Sequence, residues 1–168
     1  MSVAPRIGPS VAGSWSTTSW STTLWSAIAP TFDAIIAHPF VTGLTDGSLD
    51  ADAFAGYVAQ DVHYLRTYAR ALALVAAKAP TLADTAMFAR HAAEVFDVEL
   101  SLHGELLPAL GVSVEAVDAA PVAPTTLAYN SYLLATAYGG SFADGLAAVL
   151  PCYWICLLYT SPSPRDRS

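Results

Sequence analysis

Cysteine is nearly missing from this chain of 168 residues, which has only Cys152 and Cys156. Two thiols exclude a disulfide framework or a cysteine-rich zinc site and suit a reducing, cytoplasmic setting. Charge is scarce as well, at 12% of residues, and cations are the scarcer sign: seven Lys and Arg against fourteen Asp and Glu, a formal net charge of −7. Such a chain is poorly equipped to grip phosphate backbones, so no nucleic-acid partner is expected. Met1–Thr23 lacks the apolar core of a signal peptide. The apolar stretch Gly145–Tyr159 is uncharged but shorter than the roughly 20 residues of a membrane span, and it carries Pro151, so no membrane partner is expected either. β-branched runs with a period of two are also wanting, which argues against a sheet.

What is present is apolar and helical. Hydrophobic residues make up 54% of the chain and the mean hydropathy is +0.45, which excludes a disordered protein. Residues 1–22 are a low-complexity leader in which Trp15-Ser-Thr-Thr-Ser and Trp20-Ser-Thr-Thr-Leu repeat. From Leu24 the apolar residues fall at three- and four-residue steps, with Pro30 predicting a kink or a later start, and His38-Pro39 closing the helix. Ser48 or Asp50 is placed to cap a long helix reaching Ala79. Thr81 and Asp84 have the spacing of a capping box for a helix to about Leu110, stopped by Gly111. Thr125 or Thr126 opens a fourth helix to Tyr138, and Ser141 to Asp144 a fifth. The fold class is therefore all-α.

Four residues of the second helix carry the first chemical signal. At about 100° per residue, Tyr57, Asp61, Tyr64 and Tyr68 share an arc of roughly 60°. One reading is a pocket in which Asp61 accepts hydrogen bonds from a flat polar ligand between aromatic walls. The other is a structural carboxylate satisfied by tyrosine hydroxyls. His63 points away from the arc and suits a surface or helix–helix position. Glu99 and His103 form an i,i+4 pair with Glu94 a turn earlier, a common surface pattern, so no metal is expected. His91 has no evident partner. Tyr129 and Tyr132 share a face of the fourth helix. In Leu150-Pro-Cys-Tyr-Trp154 a proline bends the helix just before Cys152. The thiol is either a nucleophile held at a cavity wall or a small buried hydrophobe.

These motifs occur together and in order. Leu24-Trp25, His38-Pro39-Phe40-Val41, Asp46-Gly47-Ser48-Leu49, Tyr57-Val-Ala-Gln60-Asp61, Tyr64-Leu65 and Tyr68-Ala-Arg70 are followed by Glu99-x-x-x-His103, Ala128-Tyr129-x-x-Tyr132-Leu133 and Leu150-Pro151-Cys152-Tyr153-Trp154. The set, from Leu24 to Ile155, resembles the TenA family, thiaminase II. The resemblance implies a haem-oxygenase-like helical bundle, a homotetrameric assembly, no cofactor, and hydrolysis of thiamine or its aminomethyl-pyrimidine breakdown products to hydroxymethylpyrimidine for thiamine salvage. Carried over by position, Cys152 matches the nucleophile that adds to the pyrimidine ring. Asp61 matches the carboxylate that binds the ring nitrogen and amino group, and Tyr64 and Tyr129 match tyrosines that orient ring and thiol. Tyr57, Tyr68 and Tyr132 are candidates for the pocket wall.

The family continues past the Pro-Cys-x-Trp helix with further helices, one carrying a glutamate general acid/base, and nothing after Ile155 here matches. The tail CLLYTSPSPRD, from Cys156 to Asp166, resembles a translated sequencing-library adapter. The expected organisation is thus a leader at 1–22, a partial helical domain at 23–155, incomplete at its C-terminus, and a non-native tail at 156–168. The 168 residues alone are expected to be inactive and loosely packed. Rival readings are a haem-oxygenase-like metal-dependent or cofactor-free oxidase, for which Glu94, Glu99 and His103 are the available ligands, and a non-enzymatic ligand-binding or regulatory bundle.

Overall fold

The computed structural model describes residues 20–99, 104 and 107–160. Every regular element among them is helical, and the chain divides into two compact units, residues 1–49 and 50–168.

The first unit holds α1 (Trp20–Ile36) and α2 (Pro39–Asp46). Helix α1 starts four residues ahead of Leu24 and runs through Pro30. Within it Trp25 packs on Phe32, ring centroids 5.2 Å apart. His38-Pro39 ends α1, as expected, but it also begins α2. Pro39 takes the first helical position, where its missing N–H costs nothing, and the Nδ1 of His38 accepts from the Phe40 N–H at 3.1 Å. Gly47, at φ +78°, closes the helix in the left-handed region.

The second unit is built on α3 (Ala51–Lys78). Asp50 caps it, accepting from the N–H groups of Asp52 and Ala53 at 3.0 and 3.1 Å. Helix α4 (Leu82–Glu94) opens on the expected capping box: Thr81 Oγ1 accepts from the Asp84 N–H at 3.1 Å and donates to the Asp84 carboxylate at 2.7 Å. It continues into a π-helical turn, Val95–Glu99, which the sequence pattern does not announce. Gly111, at φ +74°, stops the chain after a short helical turn at 107–109, as predicted. A short α5 (Val114–Ala119), capped by Ser113, precedes α6 (Pro124–Gly139) and α7 (Phe142–Thr160). Helix α7 starts on a second reciprocal box, with the Ser141 N–H donating to Asp144 at 2.8 Å and the Asp144 N–H to Ser141 Oγ at 3.3 Å.

Helices α4, α6 and α7 pack around α3, which buries residues on more than one side along its length. The main core joins Leu65, Tyr68, Leu72 and Val75 of α3 to Phe88 of α4, Leu133 of α6 and Val149 of α7. A smaller cluster nearer the start of α3 joins Val58 and Val62 to Leu107 and Val117. Gly145 sets the approach of α7 to α3: a Cβ there would meet Val75 Cγ2 at 3.0 Å. Lys78 ties down the end of α6, donating to the carbonyls of Tyr138 and Gly140 at 2.6 Å each. Among the described residues no single helix is long and apolar enough to cross a membrane.

Candidate active site

The outer half of α3 and the first turns of α6 enclose a cavity of about 290 Å³, open to one side. Tyr57, Gln60, Asp61 and Tyr64 come from α3, and Thr125, Thr126 and Tyr129 from α6. One face of a 3.6-residue period thus delivers Tyr57, Asp61 and Tyr64 together, as their spacing predicts. Tyr57 and Tyr129 stand at the mouth, 50% and 37% exposed. Asp61 is half-buried and is the only carboxylate among the described residues that line the cavity.

Three long-range bonds hold the two walls in register. Gln60 uses both ends of its amide on the backbone before α6: its Oε1 accepts from the Ala123 N–H at 2.8 Å and its Nε2 donates to the Pro121 carbonyl at 3.3 Å. Asn130, buried on α6, donates to the His63 carbonyl at 3.2 Å. That contact gives His63 a helix–helix position, one of the two settings expected for it. Because residues 63–64 and 129–130 are neighbours in sequence, the bond also lays Tyr129 on Tyr64. The rings stack with centroids 5.6 Å apart and planes inclined by 16°.

Beneath this stack lies Cys152. It packs, half-buried, against the main core. Tyr64, which lines the cavity, packs against the same core as Cys152, close enough for the thiol to act on its phenol. The phenols of Tyr64 and Tyr68 are pushed far above the ordinary tyrosine value, first by burial and then by the neighbouring Cys152. Burial and Cys152 also raise that of Tyr129. Tyr153 is pushed up to about 12 by burial, Cys152 and Glu94. All four therefore keep their protons near neutral pH and can donate a hydrogen bond. The arrangement joins a carboxylate and an aromatic wall, suited to a flat ring with hydrogen-bonding nitrogens, to a thiol reached through a tyrosine.

Two candidates for the wall lie elsewhere. Tyr68 shares the arc of Asp61, but by this depth α3 meets α7, so the ring is 4% exposed and its hydroxyl donates to the Val149 carbonyl at 3.1 Å. Tyr132 is a turn beyond Tyr129 on α6, is 57% exposed and does not line the cavity. His91, without an evident partner in the sequence, is paired: its Nδ1 lies 2.7 Å from the Tyr153 hydroxyl. The pattern gave no sign of this contact, which joins residues 62 apart. Of the possible metal ligands, Glu94 is exposed on α4, Glu99 ends the π-helical turn, and His103 lies outside the described residues.

The profile of the TENA/THI-4/PQQC family matches residues 25–158, and the chain belongs to that family. Among its relatives are aminopyrimidine aminohydrolases. The one from Bacillus subtilis is 39% identical over 129 residues, 77% of this chain and 55% of that protein. The one from Halalkalibacterium halodurans is 42% identical over 125 residues, 74% of this chain and 56% of that protein. A TenA homologue from P. horikoshii superposes with a TM-score of 0.75 at 34% identity, covering 80% of this chain and 62% of the other. The fold is thus the all-α, haem-oxygenase-like bundle expected. The chain spans little more than half the length of the curated relatives it matches.

Proposed function

We propose that a full-length protein carrying this chain is a thiaminase II-type hydrolase of thiamine salvage, acting on aminomethyl-pyrimidine breakdown products of thiamine, and on thiamine, to give hydroxymethylpyrimidine. The observation that carries this reading is the position of Tyr64, which lines a cavity with Asp61, stacks on Tyr129 and packs against the same core as Cys152. Kinship with aminopyrimidine aminohydrolases at 39% and 42% identity supports it.

In this reading Asp61 pairs with the ring nitrogen and exocyclic amine of the pyrimidine, and Tyr129 and Tyr64 hold the ring over the sulfur. The Cys152 thiolate forms a C–S bond to a ring carbon. The C–N bond at the exocyclic methylene then breaks, and the amine leaves with a proton. Water adds its oxygen to that methylene and gives up a proton, and the C–S bond breaks to release alcohol and thiol. The net change is amine plus water to alcohol plus ammonia. The protonated phenol of Tyr64 offers the sulfur a hydrogen bond, which favours the thiolate that attacks. No general acid is assigned, because among the described residues Asp61 is the only carboxylate lining the cavity. The family resemblance further supports a homotetramer acting in the cytoplasm on a small-molecule substrate without a cofactor, nucleic acid or membrane.

Cys152→Ser, made in a full-length protein carrying this chain, tests the assignment, since serine is a far weaker nucleophile at neutral pH. Ammonia release from aminomethyl-pyrimidine is expected to fall more than tenfold with the thermal melt unchanged. Turnover within tenfold of the parent would overturn the nucleophile and favour a ligand-binding bundle.

A further inference from the structure

Proline at 151 has no N–H, so the carbonyl one turn back, at Ala147, loses its helical partner and α7 is softened just before the thiol. Backbone hydrogen bonds alone therefore hold the direction of residue 152 less firmly than in an unbroken helix. Side-chain anchors stand on either side of the weak point. Before it, the buried Tyr68 hydroxyl of α3 donates to the Val149 carbonyl at 3.1 Å. After it, the Tyr153 hydroxyl meets His91 Nδ1 of α4 at 2.7 Å. The His91 ring is seated on its own side by Phe88, 6.2 Å away and edge-on, and lies 5.5 Å from the Tyr153 ring.

Consecutive residues of a helix point about 100° apart. Cys152 packs against the core cluster that holds Tyr68 of α3 and that Tyr64 also meets, while its neighbour Tyr153 reaches α4. Rotation of α7 about its axis would move both side chains together. Fixing Tyr153 against α4 thus fixes where the sulfur points.

We propose that His91 is a positioning residue: by holding the Tyr153 hydroxyl it aims the Cys152 thiol at Tyr64 and the cavity above it. The consequence for turnover rests on the nucleophile reading of Cys152, whereas the aim of the thiol does not. Either tautomer of His91 makes the contact, with Tyr153 as donor to a bare Nδ1 or as acceptor from Nδ1–H.

The experiment compares His91→Leu, His91→Asn and Tyr153→Phe in a full-length protein carrying this chain. Asparagine returns a polar atom to the Nδ1 position and leucine does not. Two quantities are read: the iodoacetamide alkylation rate at Cys152, mapped by peptide mass spectrometry so that Cys156 does not contribute, and kcat and KM for aminomethyl-pyrimidine. Misplacing a reacting group by about 1 Å costs on the order of 100-fold. His91→Leu and Tyr153→Phe are expected to change Cys152 alkylation at least threefold and to lower kcat at least tenfold with KM within twofold. His91→Asn should recover most of both. Alkylation and kcat within twofold of the parent in His91→Leu and Tyr153→Phe would overturn the proposal. So would His91→Asn as impaired as His91→Leu, which would make the role one of packing. If Cys152→Ser remains active, the hydrolase reading fails on its own, and alkylation alone still decides whether His91 aims the thiol.

Discussion

Among the described residues that line the cavity, Asp61 is the charged one, so its removal has a clear expected size. Asp61→Asn should weaken aminopyrimidine binding by about 1.5–3 kcal/mol, the worth of a hydrogen bond to a charged group, and a calorimetric titration measures it. Unchanged affinity would return Asp61 to a structural role. The tyrosines behave in the opposite sense to an acid-labile carboxylate. Tyr153 holds its proton to about 12 in the folded chain, against 10.0 for an ordinary phenol. Below 10 the folded and unfolded forms bind that proton alike. Between 10 and 12 only the folded form keeps it, so stability falls as pH rises through this window. Phenolate absorbance should show Tyr64, Tyr68 and Tyr153 ionising only as the protein unfolds, and Tyr153→Phe should flatten the alkaline loss of stability. Helical periodicity alone places Tyr57, Asp61 and Tyr64 on one face. It does not separate Tyr68 from them, because an arc drawn along 28 residues of α3 says nothing of where the neighbour changes from α6 to α7. Nor does any local pattern show that His91 finds Tyr153 or that Gln60 reaches Ala123.

Among the elements, those with side-chain caps were readable in advance. Asp50, Thr81 with Asp84, and Ser141 with Asp144 each satisfy N–H groups that a helix start leaves open. Helix α2 escaped notice because a proline that ends one helix is equally suited to begin the next. Helix α5 is six residues long, too short for a periodic stripe, although Ser113 followed by Glu115 is a usable start signal. The walls of the cavity depend on a contact between elements that no cap predicts, the Gln60 clamp on the segment before α6. Gln60→Leu removes both of its hydrogen bonds, at about 1–3 kcal/mol together. Denaturant unfolding should register that loss. A greater fall in aminopyrimidine affinity than in stability would show that the clamp sets the width of the cavity, and an unaltered midpoint would show that it does neither.

For the molecule as a whole, the missing period-two pattern made the all-α class legible. The bundle architecture followed from the resemblance that the ordered motifs carry and not from composition. The long α3 gathers the features of the second unit: cavity wall, Tyr64, Tyr68 anchor and both hydrophobic clusters. One added residue turns all that follows it by about 100° and advances it by about 1.5 Å. An alanine inserted after Thr67 should therefore abolish both the cooperative melt and pyrimidine binding. The same insertion between Ala79 and Pro80, in the short exposed connection to α4, should leave both nearly intact, and circular dichroism melts with a binding titration distinguish the two. Divergence among relatives is channelled accordingly: α3 can exchange its letters but not its count, so gaps between lineages should gather in the connections and leave this one rod ungapped from Asp61 to Val75.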